Sequence, residues 1–228
     1  MIDWLLAPID PARPHEIAQA AYWHGRLMVL AWAFLFPVGI IAARFFKIMP
    51  GQDWPRVIDN LAWWHAHLSL QYTGGVAVLI ALGLILWSPG GGGLHAVFGW
   101  WVIALCLYQF LAGWLRGTKG GPTDSSMRGD HYDMTPRRKL FEYSHKSLGY
   151  LALILSVFAI STGLWIANAP NWMWLVIIAW WAALVIAFIG FQRHGMSVDT
   201  YQALWGPSEE HPGNRMKPIG WGVIRRDP

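Results

Sequence analysis

Five long runs of apolar residues dominate the pattern of hydrophobic and polar positions along this chain. Each run is long enough to cross the hydrocarbon core of a bilayer, which takes about 20 helical residues. The pattern therefore predicts an all-α fold, a polytopic membrane helix bundle with five transmembrane helices. We expect these helices at residues 24–46, 61–87, 94–115, 145–167 and 172–191.

The residues between and beyond these runs divide the chain into four parts. Residues 1–22 begin with a short apolar patch and predict an N-terminal interfacial segment, and residues 23–168 hold a four-helix core. Residues 169–194 form the fifth transmembrane helix, and residues 195–228 form a polar tail rich in Pro and Gly. Such a tail is unlike a sequence that folds alone. We expect a protein partner, bound through the fifth helix and the tail, to order it.

Two prolines predict local features of the helices. Pro37 lies in the middle of the first run and should kink that helix, because proline removes one backbone hydrogen bond. Thr135 and Pro136 follow a long loop and have the residue types that begin a helix.

The composition agrees with a membrane protein that contacts lipids over much of its surface. Hydrophobic residues make up 55% of the chain, charged residues only 13%, and 17 residues are Trp. No part is large enough to form a folded basic face with interleaved aromatic residues, so we expect no nucleic-acid binding. The single cysteine, Cys106, excludes an internal disulfide. We recognise no pattern of a signal peptide near the start.

The basic residues lie almost entirely on one side of the predicted helices. Arg13 and Arg26 lie on the side of the N-terminus, and the other 15 of the 17 Lys and Arg lie on the opposite side. The positive-inside rule then makes the C-terminal side cytoplasmic. In a bacterial inner membrane, this arrangement places the N-terminus in the periplasm.

Histidines near the beginnings of the first four helices suggest a cofactor. Because successive helices alternate in direction, His24 and His95 fall near one side of the membrane, and His65 or His67 falls with His145 near the other. Two imidazoles on facing helices at one depth are what the axial ligation of a b-type haem requires. Two pairs at opposite depths predict two haems b, each with its iron.

Glycines at helical spacing from the histidines would leave room for a porphyrin. Gly99 follows His95 by one turn, and Gly149 follows His145 at the same offset. Five turns of helix are 18 residues, so Gly113 and Gly163 lie on the same faces at the far ends of these helices. The alternative is that these glycines only permit close packing of helices.

His65 and His67 point in different directions, because residues two apart on a helix do not share a face. His67 shares its face with Trp63, Gln71 and Gly74, which offer a gap, whereas His65 shares its face with bulkier residues. We therefore predict His67 as the ligand and expect His65 at the interface or in a supporting position.

Several short motifs in this chain resemble those of the cytochrome b561 family, in the form attached to DOMON domains in eukaryotes and standing alone in bacteria. The similarity extends from about residue 24 to residue 166. The matching residues are His24-Gly25-x-Leu27-Met28, Trp32, Pro37, Gly39, Ala43-Arg44, Lys47, Trp63-x-x-x-His67-x-x-x-Gln71, His95-x-x-x-Gly99, Gln109 and His145-x-x-x-Gly149-Tyr150.

The resemblance implies a four-helix core with two haems b, one bound by His24 and His95 and the other by His67 and His145. It also implies electron transfer across the membrane, often from ascorbate or a similar small reductant. The chain has no DOMON domain, and its fifth helix and tail lie outside the similarity, so we expect a quinol or another small soluble reductant as the donor. Arg116, Lys139 and Lys146 lie at helix ends where they could neutralise haem propionates or anchor at lipid headgroups.

Two other functions remain open at this stage. The protein could be an accessory or structural subunit of a larger respiratory or photosynthetic assembly, which Trp180 and Trp181 in the histidine-free fifth helix suggest. It could also be a transporter with histidine proton relays. Relays rarely place pairs of histidines at matched depths beside glycines, which favours the electron-transfer hypothesis.

Overall fold

The computed structural model describes residues 2–87 and 92–226, and its long helices confirm the predicted fold class. Five helices in these residues are long and apolar enough to cross a membrane. They cover Gln19–Phe45, Ala62–Trp87, Leu94–Trp114, Pro136–Ile166 and Asn171–Arg193. The fourth begins at Pro136 rather than at His145, because its first turns are polar and carry no hydropathy signal. Thr135 supports this start, since its hydroxyl oxygen accepts a hydrogen bond from the backbone N–H of Arg138 at 3.3 Å.

The first transmembrane helix consists of three parts, and shorter helices lie at both ends of the chain. The elements in chain order are α1 (Ile2–Leu6), α2 (Gln19–Val29), a π-helical segment (Leu30–Leu35), α3 (Phe36–Phe45), α4 (Ala62–Trp87), α5 (Leu94–Trp114), α6 (Pro136–Ile166), α7 (Asn171–Arg193), α8 (Thr200–Trp205) and a 3-10 turn (Pro212–Arg215).

The π-helical segment is the way in which the first transmembrane helix accommodates Pro37. Pro37 has no N–H, so the carbonyl of Ala33, four residues earlier, lacks its usual helical donor. The indole Nε1–H of Trp180 in α7 donates to this carbonyl oxygen at 2.7 Å. The Trp180 ring also stacks on Phe34, with ring centroids 4.7 Å apart. Trp180 therefore has a structural role within the chain, where a backbone group without a partner would be costly in lipid.

Contacts between residues divide the chain into two compact units, and each is described by itself. The first unit consists of Met1–Val38, Leu70–Cys106 and Leu151–Ala187. The second unit consists of Gly39–Ser69, Leu107–Tyr150 and Phe188–Pro228. Each unit contains parts of all five transmembrane helices and one of the predicted pairs of histidines.

In the first unit, the N-terminal segment is attached to the connection between α6 and α7. The side-chain amide of Asn168 donates to the backbone carbonyls of Asp10 and Arg13, at 2.9 Å in both cases. The side chain of Asn171 donates in the same way to Trp4, at 2.9 Å. Helix α1 exposes its large apolar side chains, as a helix at a membrane interface would.

In the second unit, the C-terminal tail is folded against the loop before α6. The Asp199 side chain caps helix α8 by accepting from the backbone N–H of Tyr201. Tyr201 and Trp205 are buried against Tyr132 of the loop before α6. The hydroxyl of Tyr201 also donates to the carbonyl of Tyr132 at 2.7 Å. The chain itself therefore supplies the contacts that we had expected from a protein partner.

Candidate functional site

The first unit brings His24 of α2 and His95 of α5 together. Their ring centroids lie 6.2 Å apart, and the ring planes are at 86° to each other. Both side chains are half-buried. The two imidazoles therefore face one small volume from different helices.

Backbone carbonyls fix the protonation of both rings. The Nδ1 atom of His24 lies 3.0 Å from the carbonyl oxygen of Ala81, and the Nδ1 atom of His95 lies 3.0 Å from that of Ala159. A carbonyl oxygen can only accept a hydrogen bond, so each Nδ1 carries the proton. In the neutral imidazole, each Nε2 then keeps the lone pair that binds a metal, which is the usual arrangement of metal-ligating histidines.

The spacing of this pair fits two axial ligands of one iron. Metal–nitrogen bonds of about 2 Å on opposite sides of an iron would place the two ring centroids about 6 Å apart. Among the described residues, no group of three or more His, Cys, Asp and Glu could hold a metal ion. A metal bound by this pair would therefore need further ligands from a cofactor, as haem iron receives from its porphyrin.

Gly99 and Gly163, two of the glycines predicted to leave room for a haem, differ in how much space surrounds them. A Cβ atom on Gly99 would meet nothing within 4 Å, so the space around this glycine is open. A Cβ on Gly163 would lie 3.0 Å from Cε1 and 3.2 Å from Nδ1 of His95. Gly163 therefore gives the imidazole the room to reach the carbonyl of Ala159, one turn earlier on α6.

Replacing Gly163 with alanine should displace the His95 ring and weaken haem binding in the first unit about tenfold, as changes behind a metal ligand commonly do. The rate of haem transfer from the purified protein to apomyoglobin would measure this effect. Gly190→Ala is the control, because a Cβ on Gly190 meets nothing within 4 Å. Equal rates of haem loss from the two variants would contradict the role of Gly163.

The second unit contains His67 and His145, which lie close enough to interact electrostatically. The Nδ1 atom of His67 lies 3.0 Å from the carbonyl oxygen of Gly39, so Nδ1 carries a proton and, in the neutral ring, Nε2 keeps its lone pair. His145 stacks on Phe141 with ring centroids 4.8 Å apart, and its buried Nδ1 has no hydrogen-bond partner. His65 is exposed, in agreement with the choice of His67 as the candidate ligand.

The predicted glycines associated with this second pair differ from each other. A Cβ on Gly149 would lie 3.6 Å from the side chain of Gln109, which is ordinary contact. A Cβ on Gly74 would lie 2.5 Å from the ring of Phe36. Gly74 and Phe36 both belong to the first unit, and the Phe36 ring fills the space beside Gly74 that we predicted to be open.

A buried carboxylate, Glu142, is the main feature of this region that the sequence analysis missed. Its Oε1 accepts from Arg138, and its Oε2 lies 2.5 Å from Nζ of Lys146. The spacing of four residues between Arg138, Glu142 and Lys146 was a signal for ion pairs on one helical face. His131 lies 3.9 Å from Glu142, and burial lowers the pKa of His131 well below its usual value, which keeps the imidazole neutral.

The three basic residues predicted to meet haem propionates have different surroundings. Lys146 is engaged by Glu142 and by the carbonyl of Ile219, at 2.7 Å. The guanidinium of Arg116 lies over the Trp64 ring, 4.1 Å from its centroid. Lys139 is half-buried.

Comparison with known proteins identifies relatives of the transmembrane part. A cytochrome b561 and DOMON domain-containing protein of Arabidopsis thaliana is 30% identical over 158 residues, which are 67% of this chain and 29% of the relative. Ferric-chelate reductase 1 of Bos taurus is 31% identical over 146 residues, 62% of this chain and 22% of the relative. The human ferric-chelate reductase 1 is 30% identical over 145 residues, with the same shares.

The chain spans less than a third of the length of these three relatives. No protein-family model matches the chain. No solved structure matches it either. The five apolar helices agree with the relatives in making this an integral membrane protein. The similarity confirms the resemblance seen in the motifs, and the chain belongs to the cytochrome b561 family.

Proposed function

We propose that this protein transfers electrons across the membrane through two haems b, between a reductant on one face and an acceptor on the other. The observation that carries this proposal is the pair His24 and His95, whose ring centroids lie 6.2 Å apart. Membership of the cytochrome b561 family supports haem b as the cofactor. The count of two rests on the second pair, His67 and His145.

The histidines would hold the cofactors and set their chemistry. Bound haem supplies an iron that accepts and releases one electron. His24 and His95 would hold one haem iron, and His67 and His145 would hold the other, so that two histidines would bind each iron in place of dioxygen. The chain then favours electron transfer without oxygen activation. The carbonyls of Ala81, Ala159 and Gly39 hold three of the four rings in the protonation state that a ligand needs.

Positive charge would help to hold the cofactor of the second unit. Arg116 and Lys139 are the proposed partners of its propionates. Lys146 is a weaker candidate because Glu142 already neutralises it. Gly99 and Gly149 would leave space for the porphyrins beside His95 and His145.

The location and the redox partners follow from the charge pattern and from the relatives. We propose that the protein lies in a bacterial inner membrane. The 15 of 17 basic residues on the C-terminal side support an orientation with the N-terminus in the periplasm and the C-terminus in the cytoplasm. A quinol or a small soluble reductant is the proposed donor. Because two relatives are ferric-chelate reductases, a chelated ferric ion is one candidate acceptor.

The alternative function, an accessory subunit of a larger assembly, rested on Trp180 and Trp181 of the fifth helix and on a protein partner for the tail. Trp180 and the C-terminal tail both have partners within this chain.

A haem assay together with a reduced-minus-oxidised spectrum of the purified protein tests the proposal. We expect about two haems b per chain, both reducible and both bound by two histidines. A protein without haem would refute the proposal. A single haem would refute the transfer between two cofactors, because one of the two pairs of histidines would then have no iron.

A further inference from the structure

Helix α4 exposes one of its faces. The residues buried on the opposite side are Gly74, Gly75, Ala77, Val78 and Ala81. Exposed residues spaced by three or four positions include His65, Ser69, Thr73, Val76 and Ile80. Residues at this spacing share one side of a helix. Because α4 is continuous from Ala62 to Trp87, this face is a property of the helix itself, and in a membrane it would contact lipid.

The exposed face is polar where it begins and apolar further along. His65 and Ser69, both in the second unit, are polar, whereas Val76 and Ile80 are apolar. The 26 residues of α4 make a helix about 39 Å long, and a hydrocarbon core is about 30 Å thick. If the helix is centred, Ser69 lies about 6 Å inside the hydrocarbon. Its hydroxyl therefore faces lipid and not water.

Neither polar side chain is satisfied by the described part of this chain. The imidazole of His65 and the hydroxyl of Ser69 form no hydrogen bond with a described residue. In α6, by contrast, the hydroxyls of Ser144 and Thr162 donate to carbonyls of their own helix at 2.7 Å. A polar group without a partner is costly in hydrocarbon. The exposed face thus suits a ligand that reaches it from the bilayer and carries hydrogen-bonding groups.

The pattern of the face restricts the chemistry of such a ligand. The headgroup of a phospholipid stays at the membrane surface and does not reach the depth of Ser69. A quinol has a ring with two hydroxyls and a long apolar tail, so it places hydrogen-bonding groups within the hydrocarbon. Its ring matches His65 and Ser69 in polarity, and its tail matches the lipid around them.

We propose that His65 and Ser69 form a quinol site on the lipid-facing surface of α4, in which His65 accepts the protons that the quinol releases. This inference rests on the proposed function, because the haems receive the electrons. One ring hydroxyl donates to the imidazole of His65, and the hydroxyl of Ser69 donates to a ring oxygen. An imidazole can accept a proton near neutral pH.

The reaction balances with the two haems of the proposed function. Oxidation of the quinol to the quinone breaks its two O–H bonds and releases two protons and two electrons. The imidazole of His65 takes up the protons one at a time and passes each to water at the membrane surface. The electrons reduce two ferric haem irons to the ferrous state, one electron each. His67 lies on the buried side of the same turn, so the first electron crosses about the width of a helix, about 10–12 Å.

The experiment uses the protein with its haem in nanodiscs of zwitterionic lipid. Stopped-flow absorbance follows haem reduction by decylubiquinol, a lipid-soluble quinol, and by dithionite, which acts from water. We expect His65→Ala to slow reduction by decylubiquinol at least about tenfold, since a positioned proton acceptor commonly contributes more than this. Dithionite releases no proton to the protein, so its rate should change less than about twofold. Added imidazole should restore part of the quinol rate in this variant, which a purely structural role of His65 would not allow.

His194→Ala is the matched control for this variant. His194 is an exposed histidine of the same unit, and its Nδ1 lies 2.8 Å from the carbonyl oxygen of Gly190. Its replacement should leave both rates unchanged. Equal quinol rates in the two variants, at normal haem content, would overturn the inference. Slower reduction by both reductants in His65→Ala would also overturn it, whereas a protein without haem would refute the proposed function instead.

A second variant and a binding measurement do not depend on His65. Leucine is at home on a lipid-facing surface, so Ser69→Leu should keep the fold and slow reduction by decylubiquinol about fivefold, the effect of one ordinary hydrogen bond. Ser147→Leu, at an exposed serine of α6, is its control and should not change the rate. An azido-quinone activated by light in the same nanodiscs should label α4 next to Ser69, and Ser69→Leu should reduce this labelling. Labelling spread evenly over all helices would overturn the site. Unchanged quinol rates together with a loss of dimers in His65→Ala would assign the face to a second copy of the chain and overturn it as well.

Discussion

Replacing His67 with alanine should remove about half of the haem from the purified protein, whereas replacing His65 should leave the haem content unchanged. The two residues lie on one turn of α4, so the variants alter the same part of the membrane helix. His67 is half-buried, and its Nδ1 lies 3.0 Å from the carbonyl of Gly39, whereas His65 is exposed. Only His67 thus has the orientation and the free Nε2 that an axial ligand needs.

A pyridine haemochrome assay, normalised to protein, measures this difference. The haem retained by His67→Ala should have the redox behaviour of the first unit alone, because His24 and His95 are untouched. Loss of haem from both variants to the same extent would show that the helix, and not the imidazole, is responsible. Full haem content in His67→Ala would refute the pairing of His67 with His145.

Replacing Glu142 with glutamine should destabilise the protein by about 3–5 kcal/mol, the usual cost of removing one partner from a buried ion pair. Glu142 and Arg138 are each only 5% exposed, and Lys146 shares the same carboxylate. Glutamine has nearly the same shape but no charge. Two cations would then remain in the second unit without their common counter-ion.

Unfolding of the variant in detergent, followed by haem absorbance and by helical circular dichroism, would measure this loss. Asp53→Asn is the matched control, because its ion pair with Arg56 is largely exposed and should contribute less than about 1 kcal/mol. If the two variants had similar stability, Glu142 would not be the central charge of the second unit.

The fold of the membrane part could be predicted from the sequence because its signal is local. A run of apolar residues long enough to span a bilayer is visible without knowledge of any contact. The tail could not be predicted in this way. Its order depends on Tyr132, Tyr201 and Trp205, which are far apart in sequence and meet only in the folded second unit. A composition rich in Pro and Gly gives no indication of contacts between residues so far apart in sequence.

The pairing of histidines in the candidate site could be predicted from the sequence, but the packing around them could not. The alternating direction of the helices was enough to suggest His24 and His95 as neighbours, and the structure brings their rings together. The filling of the space beside Gly74 by Phe36 depends on how two helices pack, which residue spacing along one helix does not specify. Glu142 was overlooked because a single carboxylate near a helix end resembles a surface residue until its partners on the same face are considered.

The hydrogen bond between Trp180 and Ala33 connects the last transmembrane helix with the first, and it has a consequence for biosynthesis. The ribosome makes the first transmembrane helix before the others and α7 last. Until α7 enters the membrane, the carbonyl that Pro37 leaves free has no indole to bind it. This contact between the first and the last transmembrane helix therefore forms only after α7 has been inserted, and a chain that stops after α6 would lack it.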